Sequence, residues 1–194
     1  MSEDKRIIKT KQNLKQSLIH LLSQHLFEEI TIKQICEISQ TSRVTFYSHY
    51  SDKYKLADNI ICDMLEMAHI RYEKLQASCC APHSILNDLC NLLDSILQTY
   101  HSQHNFFQYV SSDKNPYLYA SFSKHLLNYV FTELEKTTTH IRFKYPLRIS
   151  CSFLTFGLLG FISECELQQY SPEQIQLCTK QLINDLIAQH ILTQ

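Results

Sequence analysis

The sequence predicts an all-α protein, and three observations support that prediction. The 194 residues include two glycines and four prolines, too few for the many turns of an all-β fold. Leu, Ile, Gln, Lys and Glu are abundant, and these residues favour helices. Apolar residues return at three- and four-residue steps along most of the chain, which is the period of an amphipathic helix. We expect about nine helices, the first three forming an N-terminal helix-turn-helix head and the others a C-terminal helical body.

A short series of helix-start signals predicts the head. The apolar spacing predicts a first helix over residues 5–26. Thr31 and Gln34 have the spacing of a capping box and are expected to begin the second helix. Ser42 is a good N-cap for a third short helix over residues 43–50.

The third helix leads into the longer helices of the body. Its Val44 and Tyr47 are expected to face the core. Ser51 or Asp52 is expected to cap the helix that follows. The remaining helices are predicted over residues 53–76, 84–101, 104–112, 117–138, 146–167 and 172–192.

The net charge is small, but the charges are distributed unevenly. The whole chain has a formal net charge of −1. Residues 1–55 hold nine Lys and Arg against six Asp and Glu, whereas the rest of the chain holds nine against thirteen. A net positive head on a net negative body suits a protein that faces DNA with its first quarter only. A solvated charged helix face would produce the same pattern.

Two short helices joined by a tight turn are typical of DNA-binding proteins, in which the second helix enters the major groove. The donors in and beside the third helix are Ser42, Arg43, Thr45, Tyr47, His49, Tyr50 and Lys53. Arg43 can reach a guanine edge or a phosphate. Lys53 stands at a helix start, where its charge and the free amides together would bind a phosphate. A surface helical hairpin without DNA binding is the alternative that periodicity leaves open.

The run from Phe27 to Lys53 resembles the signature of the TetR family of transcriptional regulators, and the resemblance is close over residues 6–65. The matching positions are Thr31, Ile35, Ser42, Thr45, Phe46, Tyr47, Tyr50 and Lys53. The resemblance implies a homodimer that binds a palindromic operator in double-stranded DNA. It also implies phosphate contacts by Thr31, Tyr47 and Lys53, and base contacts by Arg43 and Thr45.

The sequence departs from the family pattern at two places that affect which operator sequence the protein would recognise. The turn holds Gln40 and Thr41 where the family commonly has Gly and Val, and Val44 stands where a small residue is common. Gln40 is therefore expected to take a left-handed conformation, at a cost in strain. Groove docking is expected to survive these changes, whereas the operator sequence cannot be read from them.

The chain is expected to divide into a DNA-binding domain, residues 1–53, and an effector-binding and dimerisation domain, residues 54–194, and the helical pattern is interrupted between head and body at residues 77–82. The predicted dimer-interface residues are Phe161, Leu182 and Leu186. The predicted effector-pocket residues are Tyr100, Phe107, Phe122, Phe153 and Phe156. Few charges fall on the apolar faces, so a largely neutral small-molecule effector is favoured. The predicted function is a transcriptional regulator, a repressor by preference, that an effector releases from DNA or modulates. A core helix in a monomer, with purely structural aromatic residues, is the alternative.

Ten histidines and eight cysteines leave open a metal-responsive regulator of the same fold. Cys79, Cys80 and His83 lie close in sequence, and His101 and His104 could share a site with them. No Cys-x-x-Cys or His-x-x-x-His pair stands on one helix face, so neither a metal nor another cofactor is predicted. Most cysteines are expected to act as small buried apolar residues.

Other protein classes are disfavoured. The chain has no glycine cluster for a phosphate loop, and Glu164 and Glu166 point to different sides of one helix, so no enzyme is predicted. A helical adaptor that binds only protein would leave the cluster from Arg43 to Lys53 unexplained. The polar N-terminus and the lack of an apolar run of roughly 18 residues predict a cytoplasmic protein without a membrane partner.

Overall fold

The structure is a computed structural model, and it describes residues 5–78, 84–111, 113–137 and 143–189. The all-α prediction is confirmed, because the elements within these ranges are helices joined by turns. The helices are α1 (Lys5–Leu22), α2 (Ile32–Ile38), α3 (Arg43–His49), α4 (Lys53–Ser78), α5 (Ile85–Ser102), α6 (His104–Phe107), α7 (Pro116–Thr137), α8 (Leu147–Leu167) and α9 (Pro172–Ala188). A short 3-10 turn, Phe27–Glu29, lies between α1 and α2.

Two helices are shorter than the sequence predicts. α1 ends at Leu22, and the backbone N–H of Ser23 bonds the carbonyl three residues before it. α6 ends at Phe107, and the N–H groups of Tyr109 and Val110 likewise bond the carbonyls three residues before them. Turns of this tighter type replace the α-helix at both places, so the apolar spacing runs on past the helix end. The predicted ends at 138 and 192 lie outside the described residues.

The described residues up to Met64, together with those from Gln103 to Phe122, form one compact unit. In this first unit α1 packs on α2 and α6, and α2 packs on α3. Its most deeply buried side chains are Leu14, Leu18, Phe27, Ile30, Ile35, Phe46, Leu56, Ile61, Phe106 and Leu118. The α2–α3 pair therefore rests on a shared apolar core. The functional division at residue 53 stays a prediction.

The described residues from Leu65 to Ser102, and those from Ser123 onward, form a second compact unit. In it α9 packs on both α5 and α8. The carboxylate of Asp94 in α5 receives two partners from α9, the Lys180 ammonium and the Gln176 amide, each at 2.6 Å. Because burying an unpaired carboxylate is costly, these bonds fix α9 against α5.

One side of α8 is both apolar and exposed. We call it the α8 stripe, and its members are Ile149, Phe153, Phe156, Gly157, Gly160 and Leu167. The apolar side chains of the stripe are between 48% and 75% exposed. Nothing in the described chain lies within 4 Å of where a Cβ would stand on either glycine. The spacing of these residues is that of a single helix face.

α8 also has the length and composition of a membrane span, with a mean hydropathy of 1.3 over its most apolar 18 residues. This is not expected from the sequence, because Arg148 and Glu164 interrupt the apolar run. The core helix of a soluble protein passes the same test, so length and composition alone are weak grounds for a membrane span.

Candidate nucleic-acid interface and apolar cavity

α2 begins where the sequence predicts, because Thr31 and Gln34 cap it reciprocally. The Thr31 hydroxyl accepts the backbone N–H of Gln34 at 3.3 Å, and the Gln34 side-chain oxygen accepts the N–H of Thr31 at 2.8 Å. The predicted capping box is confirmed. Two backbone N–H groups at the helix start are thereby satisfied, which stabilises a helix of only seven residues.

The turn between α2 and α3 depends on one residue in the left-handed region. Gln40 has a φ of 52°, as the sequence predicts. The N–H of Thr41 bonds the carbonyl of Cys36 at 3.0 Å, and the N–H of Gln40 bonds that of Glu37 at 3.3 Å. These two bonds form a Schellman motif, in which a left-handed residue ends the helix and reverses the chain.

Ser42 caps α3 as predicted. Its hydroxyl accepts the backbone N–H of Thr45 at 3.0 Å. The hydroxyl oxygens of Ser42 and Thr45 are 2.9 Å apart, so each also holds the other in place. The first turn of α3 therefore presents two ordered hydroxyl groups.

The prediction that Val44 and Tyr47 face the core is wrong. Val44 is 82% exposed and Tyr47 is 56% exposed, whereas Phe46 and Tyr50 are buried. Phe46 lies on the inner face of α3, and Tyr50, the extended residue that ends the helix, packs beside it with ring centroids 6.0 Å apart. Val44 and Tyr47 lie on the other side of the helix. Burying two aromatic rings removes more apolar surface from water than burying one ring and a valine, so α3 turns Phe46 and Tyr50 inward.

The outer face of α3 combines a cation, hydroxyl groups and methyl groups. Its exposed residues are Arg43, Val44, Tyr47 and Ser48, with Thr45 and His49 half-buried. The ring of Tyr47 stands edge-on to that of Phe46, with centroids 5.5 Å apart. This contact with the buried Phe46 ring fixes the direction of the Tyr47 side chain. An exposed helix face of this composition offers hydrogen-bond donors to phosphates and base edges, and methyl groups to thymine.

Two of the predicted DNA-binding residues are engaged inside the first unit. Tyr50 is 7% exposed, and its hydroxyl donates to Asn59 Oδ1 at 2.8 Å. The Lys53 side chain is 12% exposed, and burial lowers the pKa of its ammonium. Both side chains therefore have acceptors within the chain itself.

The acceptors of Lys53 are backbone carbonyls in the connection between α1 and α2. Its Nζ donates to the carbonyls of Phe27 and Glu28, both at 2.8 Å, and to that of Ile30 at 3.0 Å. An ammonium has three N–H donors, so these bonds occupy all of them. They tie the start of α4 to the turn that precedes α2.

Phe27 joins this connection to the start of α7. Its backbone N–H donates to Asn115 Oδ1 at 2.7 Å, and its ring stacks on Tyr117 with centroids 5.4 Å apart. The Tyr117 hydroxyl donates to Asp58 at 3.1 Å, and burial, together with that carboxylate, raises the pKa of Tyr117 to about 12. Sequence reasoning missed these contacts because Phe27 and Asn115 are 88 residues apart and no local pattern links them.

The five aromatic residues predicted for the effector pocket occupy different places. Phe107 and Phe122 pack together in the first unit, with ring centroids 4.9 Å apart. In the second unit the Tyr100 hydroxyl donates to Glu166 at 2.7 Å, and burial and that carboxylate raise the pKa of Tyr100. Phe153 and Phe156 belong to the exposed α8 stripe. An effector role for these residues stays a prediction.

The second unit contains an apolar cavity between α5, α7, α8 and α9. Its volume is about 60 Å³, measured as the space open to the centre of a water-sized sphere. The lining includes Leu92, Leu126, Leu154, Leu159 and Ile183, and every other lining residue except Thr155 is also Leu, Ile or Val. None of the five predicted aromatic residues lines it. The sequence does not reveal this cavity, since its lining combines apolar positions that look like ordinary core.

Phe161, Leu182 and Leu186, the predicted dimer-interface residues, are half-buried on α8 and α9. Leu177 on α9 is 67% exposed. The apolar surface left uncovered on these two helices therefore lies mainly beside the predicted residues, on the α8 stripe and at Leu177.

The candidate metal ligands Cys79, Cys80 and His83 lie outside the described residues. Within the described ranges, His, Cys, Asp and Glu form no group of three or more placed to hold a metal ion. Of the six cysteines whose environment is described, Cys36, Cys151 and Cys165 are buried, Cys90 and Cys178 are half-buried, and Cys62 is exposed.

No family model and no curated protein matches the sequence. Solved structures match it over most of its length. A TetR-family transcriptional regulator from Syntrophomonas wolfei has a TM-score of 0.73 at 12% identity, with 92% of this chain and 95% of that chain covered. A TetR transcriptional regulator from Streptococcus agalactiae has a TM-score of 0.63 at 18% identity, with 93% and 96% covered. The fatty acid degradation regulator FadR from Bacillus halodurans has a TM-score of 0.63 at 13% identity, with 94% and 96% covered. This chain has the fold of the TetR-family transcriptional regulators.

Proposed function

We propose that this protein is a DNA-binding transcriptional regulator that recognises a palindromic operator as a homodimer and responds to an effector bound in its second unit. The observation that carries the proposal is the exposed outer face of α3. The helix is capped by Ser42, and its inner side packs on the core through Phe46. A helix of this kind, placed after a tight turn, suits insertion into the major groove. We favour repression over activation.

The side chains of α3 divide by what they offer DNA. Arg43 is exposed at the first turn, where it can make a bidentate contact with guanine, and the Thr45 hydroxyl stands beside it. Val44 brings methyl groups to the same face and suits contact with the 5-methyl group of thymine. Tyr47 suits a phosphate contact, and so do the backbone and side chain of Thr31 once its hydroxyl is released from Gln34 Oε1, to which it donates at 2.7 Å in the free chain. Such contacts fix the register of the helix on DNA.

Tyr50 and Lys53 act as positioning residues in this proposal. Tyr50 anchors the end of α3 to α4 through Asn59, and Lys53 holds the connection between α1 and α2. The start of α4 is already capped by Asp52, whose Oδ1 accepts the backbone N–H of Lys55 at 2.8 Å, so no phosphate contact is assigned to its backbone amides.

Dimerisation is proposed through the α8 stripe and the neighbouring face of α9. An exposed apolar patch on a soluble protein marks an interaction surface. Gly157 and Gly160 have no contact within the described chain that would require a glycine. In a dimer they would allow a second helix to approach closely. A two-fold symmetric pair is the commonest homo-oligomer and matches a palindromic operator.

Regulation is proposed as a shift between two populations. An effector in the second unit would favour a spacing of the two heads that does not match successive major grooves, which lie about 34–36 Å apart. The effector can act only through its different affinity for the two states.

The test is DNA binding by the full chain. Operator fragments are selected from a random DNA pool, and their affinity is measured by fluorescence anisotropy over a range of salt concentrations. Arg43→Ala should cost about 1–3 kcal/mol on the selected operator and relax its sequence preference. Lys74→Ala removes the same charge from an exposed position of α4 in the second unit, so it should leave DNA binding unchanged.

Two results would count against the proposal. One is the absence of sequence-selective, salt-dependent binding to any selected DNA, because phosphate contacts release counterions and weaken with salt. The other is an equal loss of affinity in Arg43→Ala and Lys74→Ala, which would mean that DNA responds to net charge and not to the outer face of α3.

A further inference from the structure

We propose that Asn115, in the turn between α6 and α7, is a positioning residue for DNA recognition, because it fixes the connection that leads into α2 and thereby the place of Thr31. The inference rests on the proposed function where it concerns DNA affinity. The effect on α2 itself is a separate claim, since it follows from contacts within the first unit. Asn115 lies outside residues 1–53, the range that the sequence predicts to bind DNA.

Asn115 is a buried amide whose two ends bond two different segments. The residue is 4% exposed. Its Oδ1 accepts the backbone N–H of Phe27 at 2.7 Å, and its Nδ2 donates to the carbonyl of Tyr109 at 2.8 Å. An oxygen that must accept and an NH2 group that must donate allow one orientation of the amide. Fully paired buried polar groups of this kind fix a single local geometry.

Asn115 stands at the N-cap position of α7, yet its side-chain oxygen bonds another segment. It directly precedes Pro116, the first residue of α7, and its carbonyl accepts the N–H of Tyr119 at 3.1 Å. An asparagine at this position commonly caps its own helix with its side chain. Here the side-chain oxygen accepts the N–H of Phe27. The side chain therefore links the start of α7 to the connection before α2.

Three side chains from other segments fix Phe27. Its N–H bonds Asn115, and its carbonyl bonds Lys53 in α4 at 2.8 Å. Its fully buried ring stacks on that of Tyr117, with centroids 5.4 Å apart. The backbone groups and the ring of Phe27 therefore each have a fixed direction.

A short and well-bonded stretch joins Phe27 to the start of α2. The N–H of Ile30 bonds the carbonyl of Phe27 at 3.2 Å, which closes the 3-10 turn, and Ile30 is buried. Thr31 follows as the N-cap of α2, and the capping box fixes its direction. Because each intervening residue has only two soft backbone angles and these bonds restrict them, a shift of Phe27 would move Thr31.

DNA recognition depends on the place of Thr31 and α2. Phosphate contacts set the register of a recognition helix on DNA, and α2 also packs on α3. A binding surface that is already ordered avoids the free-energy cost of ordering it in the complex. Loss of the Asn115 bonds would add that cost to DNA binding and weaken it.

The experiment measures hydrogen exchange and DNA binding in Asn115→Leu, which keeps a side chain of similar size and removes both bonds. Without DNA, the amides of α2 should exchange at least about fivefold faster than in the wild type, because an unpaired buried N–H favours local opening. Fluorescence anisotropy with the selected operator should show an affinity roughly 2- to 30-fold weaker. Thermal melts establish that each variant is folded at the temperature of measurement. If Asn115→Leu does not fold, Asn115→Ala removes the same bonds without a bulky side chain.

Thr99→Val is the matched control in the second unit. Thr99 is 3% exposed, and its hydroxyl donates to the Ser95 carbonyl at 2.8 Å and accepts from Arg71 at 2.6 Å. Valine keeps the shape of the side chain and removes both bonds, so it should lower the stability to a similar degree. Its exchange in α2 and its operator affinity should equal those of the wild type.

Three results would overturn the proposal: wild-type exchange of α2 in a folded Asn115 variant, wild-type operator affinity in such a variant, or an equal loss of affinity in Thr99→Val. The exchange measurement separates this proposal from the proposed function. If α2 of the variant exchanges faster but the wild type binds no DNA, the positioning of α2 by Asn115 stands and the proposed function fails. If the wild type and the Asn115 variant bind the operator equally well, the proposed function stands and the positioning role is wrong.

Discussion

At the scale of single residues, Lys53 shows how a partly buried cation can stabilise the candidate DNA interface without lying on its surface. Its ammonium bonds three carbonyls and also lies 4.9 Å from the centroid of the Phe27 ring. Hydrogen bonds from a charged donor are stronger than neutral ones, and these hold the chain just before α2. The resemblance instead implies that Lys53 contacts a phosphate. A variant of Lys53 distinguishes this role from the positioning role.

Replacement of Lys53 by methionine removes the donors and keeps an apolar stem. The free energy of unfolding should fall by about 1–3 kcal/mol, because three carbonyls lose a charged donor. Chemical denaturation measures this. Lys55→Met is the matched control, since Lys55 is two residues away, 66% exposed and paired only loosely with Asp58 at 3.5 Å.

The opposite pattern would favour the phosphate contact. If Lys53→Met keeps its stability but lowers the salt slope of DNA binding by about one, the ammonium binds phosphate in the complex and the positioning role is wrong.

At the scale of elements, the two short helices depend on their ends more than on their interiors. Helices of seven residues are marginal by themselves. α2 has a capping box at its start and a Schellman motif at its end, and α3 has Ser42 at its start. These local hydrogen bonds, together with the buried Ile35 and Phe46, determine where the outer face of α3 points.

The left-handed conformation of Gln40 carries a strain that glycine would relieve. Gln40→Gly should raise the free energy of unfolding by up to about 1 kcal/mol, since the left-handed penalty of a side chain is partly offset by the greater freedom of glycine in the unfolded chain. Gln169, with a φ of 60°, should respond in the same way. Gln24→Gly, in a turn without positive φ, should give no gain, and a gain there equal to that of Gln40→Gly would contradict the explanation by strain.

The start of α4 should depend on pH through Asp52. Its Oδ1 accepts the N–H of Lys55 at 2.8 Å, and this bond lowers the pKa of Asp52 below its ordinary value. A carboxyl with a lowered folded pKa stabilises the fold above the unfolded pKa of ~3.9, and this contribution disappears as the pH falls through the folded value.

Asp52→Ala should therefore lose about 1 kcal/mol of unfolding free energy at pH 7, and its difference from the wild type should shrink in acid. Asp52→Asn keeps a capping oxygen without a charge and should retain most of the stability at both pH values. Denaturant titrations at pH 7 and in acid measure both, and a loss in Asp52→Ala that stays constant with pH would exclude the carboxylate as its cause.

At the scale of the whole molecule, the feature that stands out is the uncovered apolar side of α8. Phe153 and Phe156 are about half exposed there, although burying such rings is strongly favourable. The two units each have a core of their own, so the stripe is not needed to complete either core.

Phe153→Glu should dissociate the proposed dimer, because it places a charge in the centre of an apolar interface. Sedimentation equilibrium or light scattering should then give the monomer mass of 22.8 kDa, against twice that mass for the wild type. Ile70→Glu is the matched control, since Ile70 is 44% exposed on α4 and lies outside the stripe. A wild type that is monomeric, or a Phe153→Glu variant that stays dimeric, would contradict this interface.

The sequence by itself determined the features that arise between near neighbours. The helical class, the capping box at Thr31, the cap at Ser42 and the left-handed Gln40 all follow from groups a few residues apart, whose hydrogen bonds need no tertiary contact. The faces of α3 could not be decided in this way, because apolar or aromatic groups lie on every side of this seven-residue helix and directly after it, at Val44, Phe46, Tyr47 and Tyr50.

Only the tertiary structure decided which groups meet across long separations. It buried Phe46 and Tyr50, gave Lys53 its carbonyl acceptors, and joined Phe27 to Asn115. The physical reason is that packing is selected by the total surface buried and by the pairing of every buried polar group. Both quantities belong to the folded chain as a whole, and neither can be read from a local pattern of residues.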